Sequence, residues 1–191
     1  MTQPSPTDDA LLVLFANGDK RAARELMDRL SPRAFSVAMR VLGNAAEAED
    51  VTQDAMMRLW KVAPDWVPGQ AKVSTWLYRV VMNLCLDIKR RARSGNVGLD
   101  QVPEPEDGAQ SAADQMQDAS RWDALQTALM ALPERQRQAV VLRHLEELAN
   151  PEIATVMEIS VEAVESLIAR GKRALAAALQ GQKEELGYAN G

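Results

Sequence analysis

The sequence contains few of the residues on which enzymes and metal sites depend. Cys85 is the single cysteine among 191 residues, so an internal disulfide and a cysteine-rich metal site are excluded. His144 is the single histidine, and the chain has neither a glycine-rich phosphate loop nor a histidine-paired nucleophile motif. We therefore expect no enzymatic activity, no metal and no cofactor. Cys85 is predicted to be a small core residue and His144 a helix-surface or partly packed residue.

Long apolar runs are also missing. No segment reaches the run of about 18 uncharged apolar residues that a membrane helix requires. The first residues, MTQPSPTDD, do not have the pattern of a signal peptide. Together with the lone cysteine, these absences predict a cytoplasmic location.

Acidic residues are in excess, but the excess is concentrated in one segment. The formal net charge is −5, and residues 95–120 contain six acidic residues and no Lys or Arg. Overall acidity therefore does not argue against a nucleic-acid partner. The same segment is rich in Gly, Pro and Ser and has little apolar periodicity, which predicts a flexible acidic linker with helix resuming near Asp114.

Helix-forming residues dominate the rest of the chain. Aromatics make up only 4% of it, while Ala, Leu, Met, Arg and Glu recur, which favours an all-α fold. We predict two small helical domains, at 1–94 and 121–180, joined by the linker at 95–120 and followed by a tail at 181–191. In the first domain we expect a helix that restarts at Pro32, one capped by Asn44 and one from Ser74 to Arg93.

The second domain includes NPEIATVMEISVEAVESLIARGKRAL (150–175), which has the spacing of a helix-turn-helix. A short helix from Pro151 would be followed by a turn at Glu158 and by a second helix capped by Ser160. Ala154 and Val164, ten residues apart, would take the small and apolar packing positions between the two helices. Spacing alone leaves two alternatives open, a DNA reader and a hairpin that only completes a helical core.

The outward face of the second helix combines hydrogen-bond donors with an acid. The donors, which could contact base edges and phosphates, are Ser166, Arg170, Lys172 and Arg173. Glu165 would repel phosphate, yet it could accept a hydrogen bond from cytosine N4 in the major groove. On the inward stripe, Gly171 would allow a neighbouring helix to approach closely.

Three segments carry a family resemblance: AEAEDVTQDAMMRLW (46–60), STWLYRVVMNLCLDIKRRAR (74–93) and LPERQRQAVVLRHLEELANPEIATVMEISVEAVESLIARGKRAL (132–175). The first two resemble region 2, and the third resembles region 4, of the sigma factors of bacterial RNA polymerase. The order and spacing are similar to those of the small extracytoplasmic-function sigma factors (group 4). The resemblance implies an alternative sigma factor that binds core polymerase, directs it to promoters through −35 and −10 elements and assists promoter opening.

The resemblance also implies three sets of site residues. Core polymerase would dock on Glu49, Asp50, Gln53, Asp54, Met57 and Trp60. The single-stranded −10 element would be held by Lys72, Arg79, Asn83, Asp87, Arg90 and Arg91. The duplex −35 element would be read by Ser160, Glu165, Ser166, Arg170, Lys172 and Arg173.

Further expectations concern regulation and departures from the family pattern. Sigma factors of this group are commonly inhibited by an anti-sigma factor and act in stress responses, so such a partner is implied. The acidic linker could imitate nucleic-acid charge in the polymerase channel or be a passive tether. Glu158 stands where the family usually has the turn glycine; a positive φ there would cost about 1 kcal/mol. The alternative functions are a helix-turn-helix repressor, which would bind duplex DNA without polymerase, and an interaction module, which would bind no DNA.

Overall fold

A computed structural model describes residues 5–94 and 112–185, the side chains of 112–120 and 181–185 excepted. Within these ranges the chain forms eight α-helices and one short 3-10 turn, and no β-strand, which confirms the all-α prediction. None of the helices in this part of the chain is both long and apolar enough to cross a membrane. Most of the predicted linker, 95–111, and the tail from 186 lie outside the described residues.

Four helices build the first domain. They are α1 (Asp8–Ala16), α2 (Lys20–Leu42), α3 (Ala45–Val62) and α4 (Val73–Arg93), with the 3-10 turn Ala63–Asp65 after α3. The first three begin at side-chain caps, because Thr7, Asp19 and Asn44 each accept a hydrogen bond from a backbone N–H of the first turn. Helix α4 starts at Val73, one residue before the predicted Ser74, and the side chain of its N-cap residue Lys72 makes no capping hydrogen bond.

The predicted restart of a helix at Pro32 is wrong. Helix α2 continues through Pro32, although a proline removes one backbone hydrogen bond and costs about 3 kcal/mol inside a helix. Leu30, Ala34 and Val37, on either side of it, are at most 1% exposed. Burial of this apolar face stabilises the continuous helix against the local cost, so tertiary packing overrides the breaker.

The second domain also has four helices. They are α5 (Ala112–Met130), α6 (Glu134–His144), α7 (Asn150–Met157) and α8 (Val161–Glu185). Helix α5 begins close to the predicted Asp114. Helix α6 ends at His144, and Glu147, three residues later, lies in the left-handed region with φ of 55°. Helix α8 extends to Glu185 and so continues into the segment predicted as the tail at 181–191.

The two domains share one hydrophobic core. Buried apolar residues of α2, α3 and α4 are contiguous with those of α5 to α8 in a single cluster. Helix α2 contacts α5 and α6, and α4 contacts α7, so the second domain packs directly on the first. The sequence predicted two domains on a tether, and this direct packing is an addition to that prediction.

Candidate polymerase and nucleic-acid interfaces

An apolar groove with polar edges lies between α2 and α3. Its cavity has a volume of about 440 Å³ and is lined by Met27, Ser31, Phe35, Glu49, Thr52, Gln53, Met56, Met57 and Trp60. Met27 and Met57 are 47% and 56% exposed, which is unusual for such large apolar side chains. The ring of Trp60 is held from below by Phe15, with ring centroids 4.6 Å apart. The groove is therefore a preformed surface that could bury an apolar partner.

Four of the six residues predicted to bind polymerase line this groove, namely Glu49, Gln53, Met57 and Trp60. The other two lie on the same helix outside it. Asp50 is exposed, whereas Asp54 accepts hydrogen bonds from Nε and Nη2 of Arg58 at 3.2 and 3.0 Å. The predicted set is thus brought together on α3, with an acidic edge beside an apolar floor.

One side of α4 is exposed and polar. Asn83, Asp87, Arg90 and Arg91 are exposed, and the first three follow each other at four- and three-residue spacings, so they share one face. Oδ1 of Asp87 lies 3.7 Å from Nη1 of Arg90. This face combines groups that can bond base edges with guanidinium groups that can hold phosphates.

The other two predicted −10 residues differ in exposure and contacts. Arg79 is half-buried. Lys72, at the beginning of α4, is exposed, but its Nζ lies 2.6 Å from Oε1 of Glu152 in the second domain. Lys72 is therefore already ion-paired in this conformation.

The apolar spacing of Val80, Val81, Leu84 and Ile88 predicts a core stripe on α4, and the buried stripe is wider than these four positions. Of the four, Val81 is fully buried, whereas the other three are only half-buried. The most buried positions of this helix include Leu77, Tyr78, Met82 and Cys85. The difference arises because α4 packs against α2 and α3 on one side and against α7 on another.

The predicted helix-turn-helix is present in α7 and α8. Glu158 occupies the turn with φ of 54° and ψ of 48°, so the position where the family usually has glycine does require the left-handed conformation. Oγ of Ser160 accepts a hydrogen bond from the Ala163 N–H at 3.2 Å, as expected for the cap of α8. Arg135 of α6 donates to the Met157 carbonyl at 3.4 Å and ties the end of α7 to the rest of the domain.

The outward face of α8 is open to solvent. Each of the six predicted −35 residues is exposed: Ser160, Glu165, Ser166, Arg170, Lys172 and Arg173. Nε of Arg170 donates to the Ser166 carbonyl at 3.2 Å, and Arg170 remains exposed. On the inward side Gly171 is buried, and a Cβ there would lie 2.5 Å from Cγ2 of Val140 in α6. The predicted close approach at Gly171 is confirmed.

Two titratable residues behave as the sequence predicted. Cys85 is fully buried, and burial raises the pKa of its thiol to about 12. His144 is exposed at the end of α6, beside an apolar groove between α5, α6 and α8. Its pKa is lowered, first by partial desolvation and then by the charges of Lys172 and Arg143.

Sequence reasoning missed the residues that join the two domains. Arg137 and Gln126 donate to backbone carbonyls of α2, and Tyr78 donates to Glu146. A signal for one of them was available: Arg137 precedes Val140 and Val141 at helical spacing, so it stands on the apolar side of α6. A charged residue on such a face indicates a buried group that needs partners.

Comparison with known proteins adds an independent line of information. The sequence profile of Sigma-70 region 2 matches residues 26–95, and that of Sigma-70, region 4, matches residues 122–175. The chain is 33% identical over 180 residues to the ECF RNA polymerase sigma factor SigE of Mycolicibacterium smegmatis, covering 91% of this chain and 68% of that protein. It is 30% identical over 167 residues to the ECF RNA polymerase sigma factor SigW of Bacillus subtilis, covering 83% and 89%.

Solved structures show the same architecture. CnrH, solved in complex with the cytosolic domain of CnrY, aligns with a TM-score of 0.67 at 26% identity over 91% of this chain and 97% of that one. The sigma factor RpoE of Bartonella quintana, solved with the anti-sigma factor NepR, aligns with a TM-score of 0.64 at 20% identity over 82% and 96%. The second likeness shows the fold alone.

Proposed function

This chain belongs to the family of ECF RNA polymerase sigma factors, and we propose that it directs core RNA polymerase to promoters through three separate surfaces. The family match is the observation that carries the proposal, because both sigma regions occur in order within one chain. Catalysis belongs to the polymerase, and this chain is not an enzyme. The alternative, a repressor that acts without polymerase, is not favoured, because the relatives of this chain are sigma factors.

Core polymerase binds the groove between α2 and α3. Exposed Met57 and half-buried Trp60 supply apolar area, while Glu49 and Asp50 provide charge that favours a basic partner surface. A test compares Gln53→Ala and Met57→Ala with Lys61→Ala, which changes an exposed residue of α3 outside the groove. We expect the first two to weaken binding to core polymerase in a competition assay and the third to leave it unchanged. Equal binding by all three would contradict the assignment.

The exposed face of α4 holds the −10 element. Asn83 and Asp87 can bond the edges of unstacked bases, and Arg90 and Arg91 can hold the backbone. We expect Asn83→Ala to change the preferred bases at the −10 element, whereas Arg91→Gln lowers transcription from all promoters to a similar degree. Unaltered base preference with Asn83→Ala would remove this residue from the assignment.

The outward face of α8 reads the −35 element. Residues in the first turns of a recognition helix contact base edges, which assigns base reading to Glu165 and Ser166 and phosphate binding to Arg170 and Arg173. Glu165 accepts from cytosine N4, so Glu165→Gln should relax the preference at one −35 position, where a correct base contact contributes about 1–3 kcal/mol. An identical preference in the variant would contradict the cytosine contact.

The proposal extends to location and regulation. A factor that acts with polymerase on promoters works in the cytoplasm. Because RpoE of Bartonella quintana was solved with an anti-sigma factor and CnrH with the cytosolic domain of CnrY, an inhibitory protein partner is proposed for this chain as well. Co-purification of the full chain from its own cells, followed by identification of bound proteins, tests this partner; recovery of polymerase subunits alone would argue against it.

A further inference from the structure

Thioether side chains from two helices meet in the groove between α2 and α3. Met27 of α2 and Met57 of α3 both line this groove, and they are 47% and 56% exposed. A third methionine, Met56, also lines the groove but is only 4% exposed. Methionine is among the residues most often buried, so two exposed thioethers in one groove place reactive sulfur where solutes can reach it.

The other sulfur atoms of the described side chains are less accessible. They belong to residues that are buried or half-buried: Met39, Met56, Met82, Cys85, Met130 and Met157. Burial also keeps the Cys85 thiol in its less reactive neutral form, because it raises the pKa of this group to about 12. Met1 and Met116 lie outside the described side chains. In the part of the chain that the structure describes, a soluble oxidant therefore reaches Met27 and Met57 more readily than any other sulfur atom.

A thioether, unlike a thiol, is oxidised by a hydroperoxide without first losing a proton. The sulfur lone pair attacks one peroxide oxygen, and an S–O bond forms as the O–O bond breaks. The hydroxide that leaves takes the proton of the transferred oxygen and becomes water, so sulfur loses two electrons and the peroxide gains them. Hydrogen peroxide is neutral, and the exposed acids Glu49 and Asp50 at the edge of the groove therefore do not repel it as they would an anionic oxidant.

Conversion of a thioether to a sulfoxide changes what the groove can bind. The sulfoxide oxygen is polar and accepts hydrogen bonds, whereas the thioether is apolar. Within the groove Phe35 offers no donor, and the Thr52 hydroxyl already donates to the Ala48 carbonyl at 2.7 Å. A partner that covers the groove strips water from the sulfoxide oxygen, and an apolar partner surface supplies no donor in its place. The loss of such a hydrogen bond on burial weakens binding roughly tenfold or more.

We propose that Met27 and Met57 form an oxidation site, at which hydrogen peroxide converts both thioethers to sulfoxides and so blocks the binding of core polymerase until the sulfoxides are reduced. Reduction by methionine sulfoxide reductases, one for each sulfoxide epimer, restores the thioethers; a pair of thiols supplies the two electrons, becomes a disulfide and water is released. The block of binding rests on the proposed function of the groove, whereas the selective oxidation does not.

The test treats the full chain with hydrogen peroxide at neutral pH. Catalase removes the peroxide before core polymerase is added, so that the polymerase itself is not oxidised. Peptide mass spectrometry measures the oxidised fraction of each methionine and of Cys85 against time. A competition assay measures the affinity for core polymerase before and after the treatment, and circular dichroism shows whether the treated chain remains folded.

Two double variants provide the comparison. Met27→Leu with Met57→Leu replaces both exposed thioethers by side chains of similar volume that peroxide does not oxidise. Met39→Leu with Met130→Leu is the matched control, because it replaces two half-buried thioethers outside the groove. Each protein is compared with itself before and after peroxide, so the affinity of the untreated variant does not enter the ratio. We expect peroxide to weaken binding roughly tenfold or more for the unaltered chain and the control, and not to weaken it for the first variant.

Met27 and Met57 should be oxidised severalfold faster than the buried and half-buried methionines, and the reductases should restore binding. Equal oxidation rates at these two residues and at buried Met82 would overturn the site. An equal loss of binding in the variant that lacks both thioethers would overturn the block. If the oxidised chain binds normally while Gln53→Ala does not, the groove still binds polymerase and the block is wrong. If the untreated chain does not bind polymerase, the proposed function and the block fail together, and the oxidation rates decide the site by themselves.

Discussion

Substitution of Gly171 by alanine tests how closely α8 packs on α6. The new Cβ would lie 2.5 Å from Cγ2 of Val140 and 3.2 Å from the Gln136 carbonyl oxygen, whereas carbon atoms pack at about 3.5–4.0 Å. Val140 is 2% exposed and cannot turn into solvent. Overpacking costs about 1–3 kcal/mol, and alanine regains about 0.8–1.0 kcal/mol of helix propensity. We expect a net loss of about 1 kcal/mol in the free energy of unfolding.

The assay is urea unfolding followed by circular dichroism for four chains: unaltered, Gly171→Ala, Val140→Ala and the double variant. Val140→Ala removes the methyl group that the new Cβ would strike. Gly171→Ala should therefore destabilise the unaltered chain but cost less, or even stabilise, when Val140 is already alanine. The reasoning is refuted if Gly171→Ala stabilises the unaltered chain, or if the two effects add within about 0.5 kcal/mol.

Three further predictions follow from local geometry. Glu158→Gly removes the strain of a left-handed non-glycine residue, which is worth about 1–2 kcal/mol, and glycine costs about 0.5–1 kcal/mol in chain entropy. Urea unfolding should therefore show a slightly higher free energy of unfolding for this variant. A lower free energy of unfolding would refute the strain at Glu158. Burial raises the pKa of Cys85 to about 12, so this thiol should react with a thiol reagent at pH 8 only after the chain unfolds. The buried neutral thiol stabilises the fold at neutral pH, and this contribution is lost as pH rises through the raised pKa of about 12. The pKa of His144, measured by NMR, should lie below the usual 6.5, and Lys172→Gln should raise it. The neutral imidazole therefore stabilises the fold above pH 6.5, and that contribution is lost as pH falls through the lowered pKa.

Local chemistry in the sequence was enough to predict the helix-turn-helix. Ser160 is a cap that needs only its own helix, whereas the left-handed conformation at Glu158 was suggested only by the glycine that the family usually has there. Gly171 could be predicted as a point of close approach because it interrupts an apolar stripe. Such features depend on neighbours within a few residues, which the sequence displays directly.

Tertiary features could not be predicted in the same way. Pro32 is a helix breaker by local rules, and only the burial of the surrounding face explains why α2 continues through it. Arg137 bonds to the carbonyl of Val41, 96 residues away, and no local pattern identifies that partner. The groove proposed for polymerase could be predicted only in part, because α3 carried the family signal whereas Met27 and Phe35 line the groove from α2.

The most direct test of the sigma-factor account is in vitro transcription with core polymerase, with and without this protein, on a randomised promoter library. The account predicts discrete transcription starts that require the protein and that are preceded by shared −35 and −10 elements. Folded protein that binds duplex DNA by itself but adds no new starts to those of core polymerase would contradict it.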